Sequence, residues 1–191
     1  MQIEDVFGNL PNLETNRLLL RKVDARDIND MYEYTSDPKV TEHTSWNDHK
    51  SLDETKQWME HLLNSYEKKQ VTNWGIVHKD TKKFIGMCGF AWWSIEHSKA
   101  EIGYALNPKF WGQGLMTEAI KAVIEFGFTR MKLNRIEATC KPANIRSWRV
   151  MEKSGMKSEG VLRQFVKLKG EFIDIQMFSI LSSDFNLVRR S

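Results

Sequence analysis

Cysteine is scarce in this 191-residue sequence. Cys88 and Cys140 lie far apart and in no CxxC pair, which excludes a disulfide framework and a cysteine-based metal site and leaves both as small apolar packing residues. The five histidines, His43, His49, His61, His78 and His97, form neither HExxH nor HxxxH, so no metal is expected. Long apolar runs are absent as well. No stretch approaches the roughly 18 residues a membrane helix needs. The acidic start Met1-Gln2-Ile3-Glu4-Asp5 lacks the basic and apolar regions of a secretory signal, so a cytoplasmic protein with no membrane partner is expected. Charge of one sign is missing too. The 28 basic and 25 acidic residues are mixed along the chain and leave a net +3, too dispersed for the basic stripe that grips a phosphate backbone, so nucleic acid is not an expected partner. With 4 prolines, 11 glycines and no Ser/Gly-rich linker or repeat, nothing divides the chain. What remains, 41% hydrophobic and 28% charged residues, is the balance of one globular domain spanning residues 1–191, with a core over about 14–182.

Periodicity then orders the elements. After a polar leader, the apolar-rich Arg17–Val23 reads as a strand, and Asp24 caps a helix running to Tyr34. A second helix is expected over Ser51–Glu67, with Trp58, Leu62 and Leu63 as its apolar stripe. Between them Val40–Asp48 has no period and reads as a mobile loop. Asn73–His78, the polar turn Lys79–Lys83 and Phe84–Trp93 form a hairpin, followed by a strand over Ala100–Leu106 with Glu101 on the face opposite Ile102. The strongest helix spans about Gly114–Met131, where Ile120, Val123, Ile124 and Phe128 share a face. Asn134–Lys141 is a strand, Asn144 caps a short helix to Ser154, Gly155 ends it, and Val161–Leu168 with Glu171–Leu181 closes the sheet as a hairpin. The fold class is α/β: a mixed, mainly antiparallel sheet flanked by helices. Seven tryptophans are many for one domain, and core packing explains most of them.

The informative segment is Leu106-Asn107-Pro108-Lys109-Phe110-Trp111-Gly112-Gln113-Gly114-Leu115-Met116-Thr117-Glu118-Ala119. A glycine turn feeding directly into a helix leaves backbone N–H groups pointing outward at the positive end of the helix dipole, which suits an anion such as phosphate. A tight turn with no ligand accounts for Gly112 and Gly114 equally well. Neither a GxxxxGK[ST] loop nor a GxGxxG fingerprint is present.

The run EIGYALNPKFWGQGLMTEA resembles the acetyl-coenzyme A binding motif of the Gcn5-related N-acetyltransferase (GNAT) superfamily. NRIEATCKPANIRSWRVMEKSGM and EGVLRQFVKLKGEFIDIQMFSIL resemble the following strand, helix and closing hairpin of its ribosomal-protein-alanine N-acetyltransferase (RimJ/RimL-like) branch. With the opening RLLLRKVDARDINDMY the likeness covers nearly the whole chain. It implies acetyl-coenzyme A as cosubstrate, bound through Leu106, Trp111, Gly112, Gln113, Gly114, Leu115, Met116, Thr117 and Asn144, and an amine acceptor. Trp111 and Met116 depart from the family's usual residue types at their positions.

Acyl transfer to an amine needs a group that takes the ammonium proton. Glu101 is the first candidate because the resemblance puts the acceptor near its strand, and a solvated strand carboxylate is the plain alternative. Glu137 and Glu42 are second choices. The resemblance also implies an oxyanion donor, the backbone N–H near Leu106. Ser147, three residues after Asn144, matches the branch's NxxS pattern, in which that serine is the proposed acid; Met151 stands where other branches place a tyrosine. Asn144 contacts the pantetheine arm or simply caps its helix. No serine or cysteine with an adjacent histidine is visible, so transfer is expected to be direct. The expected acceptor is a protein N-terminal α-amine of ribosomal-protein type; a small-molecule amine, or a weakly catalytic acyl-coenzyme A binding module, is the alternative, in a monomer or a homodimer.

Overall fold

The computed structural model describes residues 2–188. In chain order the elements are α1 (Ile3–Phe7), β1 (Leu13–Glu14), β2 (Leu18–Arg21), α2 (Ile28–Thr35), α3 (Pro38–Thr41), α4 (Leu52–Glu67), β3 (Asn73–His78), β4 (Phe84–Ser94), β5 (Lys99–Leu106), α5 (Leu115–Thr129), β6 (Arg135–Cys140), α6 (Ile145–Lys153), β7 (Lys157–Leu168), β8 (Glu171–Leu181) and α7 (Ser182–Val188). The strands make one sheet in the order β1-β2-β3-β4-β5-β6-β8-β7. Every neighbouring pair is antiparallel except β5 and β6. Among the described residues no helix is long and apolar enough to cross a membrane.

Two bulges decide which side chains meet. Ile85 has no partner on β3, so Phe84 turns to the face of Tyr34 and α2, whereas Phe90 turns to the other face, toward α5. Helix α5 comes close there because Gly127 has no side chain. A Cβ at that position would stand 2.7 Å from Ile136 Cδ1 and 3.1 Å from Phe90 Cζ. The second bulge, at Ala91, brings Trp92 opposite Glu101. Partners in register share a face, so Phe90, Ile102, Tyr104, Ile136 and Cys140 lie on the α5 side, and Trp92, Glu101, Glu137 and Thr139 on the other.

Three segments differ from the sequence reading. The polar leader contains α1, which buries Val6 and Phe7, and Leu10 follows them into the core. Phe7 packs edge-on against Phe90 at 6.5 Å and against Trp93 at 6.3 Å, so the core extends N-terminal to residue 14. The helix expected from Asp24 begins as a 3₁₀ turn over Ala25–Asp27, because the Asp27 carboxylate turns back to the Asp24 N–H at 2.8 Å and is held bidentately by Arg21. The expected mobile loop Val40–Asp48 starts inside α3, which Asp37 caps through the Lys39 N–H. Its later part is tied down by Trp46, stacked on Trp58 of α4 at 6.2 Å. Lys169 at the hairpin tip and Lys141 after β6 donate to the carbonyls of Thr41 and Glu42.

Phe7→Ala should destabilise the domain by about 3–5 kcal/mol, the usual cost of emptying a buried aromatic site. Equilibrium urea unfolding reads it. A loss under about 1 kcal/mol would mean that α1 is not part of the core.

Candidate active site

The parallel pairing of β5 and β6 covers only Lys99–Glu101 against Arg135–Glu137. Beyond that rung the strands part. The Asn107 N–H donates to Ile85 O at 2.8 Å, which makes that pair the hydrogen-bonded one. By antiparallel alternation Leu106 and Tyr104 then aim their backbone groups away from β4, into the gap. The gap opens into a cleft of about 740 Å³. Its walls include the β5 edge, Thr139 and Cys140 of β6, the turn into α5, one side of α6 and the segment from Lys39 to Trp46.

The turn into α5 is shaped by contacts behind it. Gly114 caps α5 with φ +75° and Gly112 has φ +76°, both in the left-handed region that glycine enters without strain. Arg17 reaches over from the start of β2. Its Nη1 donates to Gln113 O at 2.9 Å, while its Nε and backbone N–H grip Glu118 at 2.7 and 2.8 Å. Thr15 also donates to Glu118, at 2.6 Å. Burial raises the pKa of Glu118, but these hydrogen bonds and the Arg17 charge outweigh it and leave it lowered. Arg17 thereby balances the charge of the first-turn acid and occupies a carbonyl of the turn, so that neither opposes an anion at the N-terminal amides.

Of the residues singled out in the sequence, Glu101, Leu106, Trp111, Gly112, Gly114, Leu115, Met116, Thr117, Asn144 and Ser147 all line the cleft. Among the expected cofactor-binding residues Gln113 is the exception. Its carbonyl is taken by Arg17, its side chain donates to Lys109 O at 3.2 Å, and it is not on the cleft wall. The unusual Met116 side chain is turned into the core, so it does not crowd the turn. Trp111 braces the parting strand: its indole N–H donates to Leu106 O at 2.7 Å, and the Arg146 guanidinium lies 4.8 Å over its ring.

On the α5 side, Asn144 caps α6 by accepting from the Ser147 N–H at 3.1 Å. The Ser147 hydroxyl lies 2.8 Å from the Tyr104 hydroxyl. Burial pushes the Tyr104 phenol up, only partly countered by that hydrogen bond, so it stays neutral. Burial likewise raises the Cys140 thiol, to about 11, with a hydrogen bond to Ser147 acting the other way. Met151 is fully buried.

On the opposite face, Glu101 accepts from Thr139 Oγ1 at 2.6 Å and from Trp92 Nε1 at 2.5 Å. Glu137 is buried, paired with Arg135 at 2.6 Å and Lys99 at 3.7 Å, and not on the cleft wall. Glu42 does line the cleft, at its exposed rim. The sequence reading missed Tyr104, Thr139 and the cations Arg146, Arg149 and Lys153. The cations recur at i, i+3 and i+7 on α6, a helical spacing that would have revealed them. Thr139 meets Glu101 across strands and Tyr104 meets Ser147 of α6, distant contacts that leave no local signal.

The donors fit a phosphate-bearing ligand with an amide arm: outward amides at the α5 terminus, three cations on α6 and an open strand edge leading inward. Arg17→Ala should weaken binding of coenzyme A, the ligand the resemblance implies, about tenfold, because the turn loses the charged clamp that orders it. Arg17→Lys should restore little, since one ammonium cannot serve carbonyl and carboxylate together. Calorimetric titration measures both, and parent-like affinity in Arg17→Ala would refute the clamp.

A family model described as the acetyltransferase (GNAT) domain matches residues 17–157. An uncharacterized N-acetyltransferase, p20 of Bacillus licheniformis, is 35% identical over 92% of this chain and 99% of its own length. The crystal structure of a GNAT-family acetyltransferase from Bacillus anthracis superimposes with a TM-score of 0.81, at 30% identity, covering 91% of this chain and 99% of that one. RimL, a ribosomal α-N-protein acetyltransferase solved with coenzyme A, shares the fold at 20% identity with a TM-score of 0.78, over 90% of this chain and 98% of its own. The parted strands, the glycine turn into α5 and these likenesses agree, and the chain belongs to the GNAT family of N-acetyltransferases.

Proposed function

We propose that this chain moves the acetyl group of acetyl-coenzyme A directly to a primary amine, namely a protein N-terminal α-amine of the ribosomal-protein type. The observation that carries the reading is the placement of Glu101 and Ser147 on opposite faces of the sheet, at the one place where the strands part. With a base on one face and an acid on the other, the proton leaving the amine and the proton reaching the sulfur are handled by separate groups in one direct transfer.

Acetyl-coenzyme A supplies an acetyl group activated as a thioester. The amides of Gly112 and Gly114 to Thr117 hold the pyrophosphate, and Arg146, Arg149 and Lys153 suit the remaining phosphate. The Leu106 and Tyr104 backbone and Asn144 meet the amides of the pantetheine arm. The Leu106 N–H also serves as donor to the acyl oxygen as negative charge builds on it. Glu101 takes the proton from the attacking nitrogen, directly or through one water. The C–N bond forms, the C–S bond breaks, and the Ser147 hydroxyl gives its proton to the thiolate and regains one from solvent, the ordinary thiol pKa of about 8.5 letting the sulfur leave readily. An α-amine, with an ordinary pKa of about 7.7–8.0, is already part neutral at physiological pH, whereas a lysine amine at about 10.4 is not. A single carboxylate base therefore matches an N-terminus better than a lysine side chain, and the α-N-protein acetyltransferase activity of RimL is consistent with that choice.

A panel of amines tests the acceptor. A peptide with a free N-terminal alanine should turn over faster than the same peptide blocked at its N-terminus and carrying lysine, and faster than spermidine. Preference for spermidine would overturn the acceptor while leaving the transfer chemistry intact. Within that assay Glu101→Gln should lower turnover by roughly 10² to 10⁴ fold with coenzyme A affinity unchanged, and the defect should shrink as pH rises through the amine's pKa. Parent-like activity from pH 6 to 9 would remove Glu101 as the base.

A further inference from the structure

Glu101 occupies the last bonded rung between β5 and β6, opposite Glu137. Its carboxylate is held from both sides of its own strand. Trp92 of β4, brought into register by the bulge at Ala91, donates its indole N–H to Oε2 at 2.5 Å. Thr139 of β6, two residues beyond the rung and therefore past the end of the ladder, donates its hydroxyl to Oε1 at 2.6 Å. Each oxygen thus has one fixed donor, and each keeps a second lone-pair direction for a proton arriving from the cleft. Turning the carboxylate about its terminal bond would break both contacts at once.

The indole is itself located. Lys99 Nζ lies 5.4 Å over the Trp92 ring and 3.7 Å from Glu137, so its charge holds the aromatic face without contacting Glu101. The two donors differ in what they cost the fold. Among the described residues the threonine hydroxyl has no other hydrogen-bond partner, and on a β-strand valine replaces it at equal shape. A pair of donors on a group facing a cleft is more than sheet cohesion requires at a point where the sheet is meant to part.

We infer that Trp92 and Thr139 are positioning residues that lock the Glu101 carboxylate in the orientation from which it accepts the amine proton, an inference that rests on Glu101 being the base. Their role is exerted through Glu101 and not on the acyl carbon. Proton transfer depends steeply on heavy-atom distance and alignment, so a carboxylate freed to rotate should slow the chemical step while leaving cofactor binding alone.

The test uses the full chain saturated with acetyl-coenzyme A, with the N-terminal alanine peptide and spermidine as acceptors. Thr139→Val should lower kcat about tenfold with KM for acetyl-coenzyme A within twofold, and Thr139→Ser, which restores the hydroxyl, should recover most of the loss. Trp92→Phe should show the same split. In Glu101→Gln, adding Thr139→Val should lower kcat no further, because the base whose orientation Thr139 fixes has already been removed. A readout free of turnover runs alongside: the Trp92 indole N–H signal in a nitrogen-15 NMR spectrum, identified by its loss in Trp92→Phe, should move in Thr139→Val and return in Thr139→Ser. If Glu101→Gln is as active as the parent, the base reading fails. If Glu101→Gln is impaired while Thr139→Val keeps the parent kcat, or if the indole signal stays in place in Thr139→Val, the positioning inference fails by itself.

Discussion

The structure depends on a pair of parallel strands that stay together for three residues and then separate. At Lys99–Glu101 and Arg135–Glu137 the sheet is continuous; one step further β5 is left with backbone groups that no protein strand satisfies. Unpaired strand edges inside a domain are costly unless something meets them. Trp111 meets one, at the Leu106 carbonyl, and the rest face a cleft that suits a ligand carrying its own amides. The glycine turn, the Arg17 clamp, the cations of α6 and the carboxylate of Glu101 are arranged around that separation.

The division of labour between faces follows from it. Residue alternation sends Tyr104 and Cys140 to the α5 side, where Ser147 waits on α6, and sends Glu101 and Thr139 to the side of α3 and the tethered segment after it. A cleft that passes between strands is reachable from both faces, so donor and acceptor need not share an entrance. The tethering of Val40–Trp46 by Trp58, Lys141 and Lys169 gives the Glu101 face of the cleft a wall of defined shape.

Much of the fold was legible because it rests on local pattern. The apolar stripe of α5, the capping Ser51 and Asn144, and the alternation of β5 all read correctly from neighbouring residues, and Gly155, with φ +89°, follows α6 as expected. The misreadings arose where distant contacts decide. Val6, Phe7 and Leu10 are too few to form a periodic signal, yet Phe90 and Trp93 give them a place to pack. Val40–Asp48 lacks a period because separate tethers, not one helix face, hold it. Within the site, the glycine turn and the NxxS pattern are visible as text, whereas the grip of Trp92 and Thr139 on Glu101 joins β4 and β6 through a bulge that no residue type announces.

The most direct measurement is a crystal structure with coenzyme A bound. The account places the pyrophosphate on the amides at the N-terminus of α5, the pantetheine arm between β5 and β6 with its amides on the Leu106 and Tyr104 backbone, and the sulfur within reach of the Ser147 hydroxyl. Coenzyme A lying outside the gap between those strands, or with its pyrophosphate away from residues 112–117, would contradict it.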